Sequence, residues 1–180
     1  PLALSALASR AELASALTSY REEAMVQRAA RQGQPDATMP AMERTPNPAR
    51  RQARRSLRQH YLDAVHARVL ISLAGQPSFA ERWVHFWSNH FAISVDKIAV
   101  MPFAGDYEFT AIRPNVFRSF ARLLQAAVTH PAMLLFLDQA QSIGPASPLA
   151  QRVAQRRPDR TLGLNENLAR EILELHTLGV

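Results

Sequence analysis

The chain contains no cysteine, only 6 glycines among 180 residues, and a single lysine, Lys97. Without cysteine there is no disulfide and no thiol nucleophile, and such a chain is compatible with either redox compartment. Few glycines leave no Gly-x-Ser-x-Gly elbow and no phosphate-binding glycine loop, so the common hydrolase and nucleotide-binding signatures are missing. No window reaches the roughly 18 uncharged apolar residues of a membrane span, and the opening PLALSALASRAEL lacks a basic leader with a cleavage site. A soluble chain without a membrane span is expected in this form. What is present is 47% hydrophobic residues and enough length for one core that needs no staple.

The 21 basic and 15 acidic residues give a formal charge of +6, nearly all of the positive charge being arginine. Arg50, Arg51, Arg54, Arg55 and Arg58 fall together at the start of an expected helix. Such a run is either a solvated helix face or a basic landing surface for an acidic partner. Without interleaved aromatics, a nucleic-acid role rests on charge alone and is the more distant expectation.

Apolar residues recur at helical spacing and no strand-like alternation persists, so the fold expected is all-α, a multi-helix orthogonal or bundle-like domain with long Pro-rich loops. Ser9-Arg10-Ala11-Glu12 and Ser78-Phe79-Ala80-Glu81 read as capping boxes, and Asn47 before Pro48 as an N-cap with proline in the first turn. Periodicity vanishes over residues 32–47, an expected linker, and over 139–163, an expected long loop. Between them Phe117, Phe120, Leu123, Leu124 and Val128 form one inward helix face, and Pro131 opens a short helix apolar all round. The last helix runs from about Asn165 to Leu178, stops at Gly179, and leaves its core unclosed.

Two ionisable groups interrupt apolar stripes. His90 continues the row Phe79, Trp83 and Phe86, and Glu171 projects among Leu164, Leu168, Ile172, Leu175 and Leu178. A carboxylate there must be paired, hydrogen-bonded, metal-bound or protonated. One reading gives His90 a backbone carbonyl and Glu171 a buried arginine, Arg113 or Arg82. The other brings them into a polar pocket with Asn89, Asn167 and Asp138 that holds a divalent metal or performs acid–base work of hydrolase type. On an α-helix Glu171 and His176, five apart, point about 140° away from each other. Asp138, at the C-terminal end of its helix, needs a compensating donor, either an arginine or amides near Ser142.

Three ordered segments carry a resemblance. Arg82-Trp83-Val84-His85-Phe86-Trp87-Ser88-Asn89-His90-Phe91, His130-Pro131-Ala132-Met133-Leu134 onward to Gln141-Ser142-Ile143-Gly144-Pro145, and Gly163-Leu164-Asn165-Glu166-Asn167-Leu168-Ala169-Arg170-Glu171 through Gly179 resemble the bacterial family DUF1800 over about residues 50–180. The motif positions are Trp87, Asn89, His90, Asp138, Ser142, Asn165, Glu166, Asn167, Arg170, Glu171, Glu174 and His176. Where the family often has His, Asn and His, this chain has Ser88, Gln139 and Asn115. The resemblance implies a fragment of a longer helical protein with an exported, periplasmic or extracellular address. It further implies a sulfatase-like partner encoded nearby, and it brings no established activity.

Overall fold

The computed structural model describes residues 2–32, 47–74, 78–156 and 163–179, and every regular element among them is helical. In chain order these are α1 (Leu2–Ser5), α2 (Arg10–Gln32), α3 (Pro48–Ala74), α4 (Phe79–His90), a 3-10 turn (Met101–Phe103), α5 (Ala104–Asp106), a π-helix (Tyr107–Ile112), a 3-10 turn (Arg113–Asn115), α6 (Phe120–Val128), α7 (Pro131–Phe136), a 3-10 turn (Gln139–Gln141), α8 (Pro148–Arg156), α9 (Asn167–Glu171) and a second π-helix (Ile172–Leu178). The all-α expectation holds. The expected linker, apart from its end residues Gln32 and Asn47, lies outside the described residues.

The chain forms two compact units. The first comprises Pro1–Gln76 and Met101–Asp106, the second Pro77–Val100 and Tyr107–Val180. In the first, Ser9 and Glu12 close the expected capping box, Glu12 Oε2 accepting from Ser9 N at 2.7 Å while Ser9 Oγ accepts from Glu12 N at 3.3 Å. Asn47 Oδ1 accepts from Ala49 N at 3.0 Å and starts α3. Leu13 and Leu17 of α2 and Leu57, Ala64 and Ala67 of α3 are buried, and the two helices pack together. Arg10 Nε pairs with Asp106 at 2.8 Å.

The second unit is built on α4, opened by Ser78 Oγ accepting from Glu81 N at 3.2 Å. Its core holds Val84, Phe91, Tyr107, Ile112, Leu123, Met133 and Leu137. Tyr107 donates its hydroxyl proton to the Phe91 carbonyl at 3.0 Å, and Trp83 Nε1 donates to the Val116 carbonyl at 2.8 Å. Arg113 joins Glu81 of α4 to Glu108 of the first π-helix. His130 caps α7, its Nδ1 accepting from Ala132 N at 3.1 Å, with Pro131 in the first turn as expected.

Three expectations need correction. The loop expected over 139–163 contains α8, which opens with Pro148 as its first helical residue and buries Ala150. Phe117 is 65% exposed rather than inward, because α6 begins only after the Ser119 cap and Phe117 precedes it in a turn, and Phe120 in the first turn of α6 is also exposed, at 42%. The last helix leaves α geometry at Ile172, so the 100° wheel no longer applies, and Leu164, Leu175 and Leu178 of the expected stripe are exposed while His176 is buried.

Candidate functional site

The C-terminal segment of the second unit is pinned to the end of α7. Asn165 N donates to Ser142 Oγ at 2.8 Å and Asn165 Nδ2 to the Leu137 carbonyl at 3.3 Å. Asn165 Oδ1 in turn accepts from Asn167 N at 3.0 Å, an Asx turn that starts α9. Facing α9 is the end of α4, which carries Asn89 and His90. Between these elements lies a cleft of about 660 Å³ whose polar wall is Asn89, His90, Lys97, Asn167, Glu171 and His176. Met133, Phe136, Leu137 and Leu175 make its apolar side.

Glu171 and His176 reach the same cleft because the helix between them changes type. A π-helix bonds residue i to i+5, so positions five apart become neighbours instead of diverging. Within it Thr177 Oγ1 lies 2.8 Å from the Ile172 carbonyl and 3.0 Å from the Leu173 carbonyl.

His90 donates from Nε2 to the His176 carbonyl at 3.0 Å; a carbonyl only accepts, so the neutral ring carries its lone pair on Nδ1. Its ring packs edge-on against Trp87 and Phe91 and lies 6.0 Å, centroid to centroid, from the His176 ring. The His176 ring is 5% exposed, and neither of its nitrogens has a hydrogen-bond partner among the described residues. Burial pushes the His176 imidazole below the usual histidine range and the charge of nearby His90 adds to the shift, while Glu171 and the His90 backbone oppose it. Trp87 Nε1 is likewise buried and unpartnered.

Asp138 is compensated by Lys97 rather than an arginine, with Nζ 2.7 Å from Asp138 Oδ2 and 2.6 Å from the Phe136 carbonyl, and by the loop's Gln141 side-chain amide, whose Nε2 donates to Asp138 Oδ1 at 3.1 Å. Asp138 itself sits in left-handed backbone, φ 58°, which an Asp tolerates. Glu171 takes neither arginine expected for it, since Arg113 is held by Glu81 and Glu108. Among the described residues Glu171 has no ion-pair partner, and no three His, Asp or Glu side chains converge on a position that would hold a metal ion.

His90, Glu171, Asn89, Asn167 and His176 therefore line one cleft, whereas Asp138 acts on it through Lys97, and Asn165 through its side-chain bonds to the Leu137 carbonyl and Asn167 N. Glu166 is exposed beside the start of α9, and Arg170 and Glu174 pair with each other at 3.6 Å on the solvent side. Lys97 and the apolar wall from α7 escaped the sequence reading. The only trace of the former was being the lone lysine in an arginine-rich chain. On α3, Arg50 donates to Gln27 at 2.7 Å and to the Tyr20 hydroxyl at 3.3 Å, while Arg51, Arg54, Arg55 and Arg58 are exposed.

No curated relative and no solved structure matches the chain. A family model described as a protein of unknown function, DUF1800, matches residues 4–180, a longer stretch than the resemblance over about residues 50–180, and the chain belongs to that family.

Proposed function

We propose that the cleft of the second unit is a catalytic site for proton-transfer chemistry of hydrolase type, with His90 as the group that exchanges the proton. The observation that carries this reading is the bond from His90 Nε2 to the His176 carbonyl, which fixes the tautomer and leaves Nδ1 as a base in a side chain lining the cleft. Asn89 and Asn167 supply amide donors and acceptors for a polar substrate, and Glu171 supplies negative charge on the same wall. In hydrolysis His90 Nδ1 takes a proton from the attacking water and returns it to the leaving group.

The test is a panel of ester, amide and phosphoester substrates, assayed with the unaltered chain and with His90→Gln. Glutamine retains a donor toward the His176 carbonyl and cannot carry the proton, so turnover is expected to fall about 100-fold with the helical circular dichroism unchanged. Equal turnover in both proteins removes the reading.

A second reading concerns the first unit. Arg51, Arg54, Arg55 and Arg58 are exposed and have no ion-pair partner among the described residues, which suits an interaction surface for an acidic protein.

A further inference from the structure

The charges around the cleft do not cancel. Lys97 lines it too, 43% exposed, but its charge is already matched by Asp138 at 2.7 Å, and its ammonium also donates to the Phe136 carbonyl at 2.6 Å. Arg170, the nearest arginine in sequence, is turned toward Glu174 and does not line the cleft. Glu171 is left as a half-buried carboxylate with no compensating cation among the described residues. A carboxylate partly withdrawn from water loses hydration that only a hydrogen-bonded counter-charge restores.

The uncharged polar groups lean the same way. His90 Nδ1 is a lone-pair nitrogen, and Asn89 and Asn167 each offer a side-chain carbonyl besides their amide donors. Beside them Met133, Phe136, Leu137 and Leu175 form an apolar wall. Acceptors around one carboxylate, next to an apolar wall, complement a group that donates several hydrogen bonds and carries positive charge on an apolar body.

We infer that the cleft takes a cationic organic ligand, a small ammonium or amidinium compound with an apolar body, whose charged head pairs with Glu171. The inference rests on the reading of this cleft as the functional site and names its substrate class. An anionic ligand meets Glu171 and a lysine already matched by Asp138, and no three of the described imidazoles and carboxylates converge on a position for an inorganic cation.

The experiment is isothermal titration of the whole chain near neutral pH with three probes of one length: n-hexylammonium, hexanoate and 1-hexanol. Hexylammonium is expected to bind saturably, at least about tenfold more tightly than hexanoate. Glu171→Gln abolishes that preference, Glu171→Asp keeps it, and Glu174→Gln, outside the cleft, leaves it unchanged. Circular dichroism of each variant confirms that the fold survives. Equal or tighter binding of hexanoate, an unchanged ammonium affinity in Glu171→Gln, or no saturable binding of any probe overturns the inference. So does ammonium binding that EDTA abolishes and zinc restores. Failure here is separable from failure of the catalytic reading: turnover that depends on His90 without ammonium preference sinks only the substrate class, and ammonium preference without turnover sinks only the catalysis.

Discussion

A neutral imidazole brings one donor and one acceptor into the protein, and leaving both unpaired in a buried position forfeits the hydrogen bonds that water provided. His176 is in that situation, 5% exposed with neither nitrogen partnered and with the Phe91 ring 5.1 Å away. Phenylalanine has a similar shape and suits these aromatic surroundings, so His176→Phe is expected to stabilise the chain by about 1 kcal/mol at neutral pH. The same exchange removes a pH dependence. The folded-state affinity of His176 for a proton is depressed, so the unfolded chain binds the extra proton first as pH falls. Stability is therefore full above the unfolded value and declines on acidification until the folded group also titrates. Thermal melts between about pH 8 and pH 5 are expected to show a downward slope in the unaltered chain that is shallower in His176→Phe. A steeper slope in the variant, or a loss of stability at neutral pH, contradicts the account. If the ring is held unsatisfied for a ligand, the more stable variant is also the one that loses binding, as expected of a site that trades stability for function.

The cleft depends on where α9 begins, and one side chain decides that. Asn165 ties the segment to the Leu137 carbonyl through Nδ2 and opens α9 through Oδ1. Asn165→Ala removes both bonds and leaves a half-buried carbonyl short of a donor, at an expected cost of about 2 kcal/mol in chemical denaturation. It also displaces Asn167 and Glu171, so ligand affinity falls by more than in Glu166→Ala, whose side chain is exposed and outside the cleft. Equal effects of the two substitutions would show that Asn165 positions nothing. The helices most legible in the sequence were those announced by their ends. Ser9, Asn47, Ser78 and Pro131 each mark a start that the structure keeps, because capping chemistry is local. The second π-helix was not legible, since its residues satisfy an α pattern equally well and only tertiary packing chooses the wider turn. That single change of geometry separates the sequence reading of Glu171 and His176 as divergent from their common place in the cleft. His90 was legible as a ring in an aromatic row, but its partner, the His176 carbonyl, lies 86 positions away and left no mark on periodicity.

For the chain as a whole, the formal charge of +6 raises the question whether attraction to acidic partners is a property of the net charge or of a place. Beyond a Debye length, about 8 Å in physiological salt, a partner feels only the charges next to its own. Arg51, Arg54, Arg55 and Arg58 lie within two turns of α3 and are exposed; Arg21, Arg28, Arg118 and Arg122 are also exposed but spread over α2, α6 and the turn before α6. Replacing either set by glutamine removes the same number of charges. Neither set has an ion-pair partner among the described residues, so each replacement is expected to change stability by less than about 1 kcal/mol. Elution from immobilised polyglutamate in a salt gradient then separates the alternatives. A local surface on α3 predicts much earlier elution for the first variant than for the second. Attraction set by net charge predicts the same shift for both, and that result would leave the arginine run as a solvated helix face and the cleft of the second unit as the place to seek function.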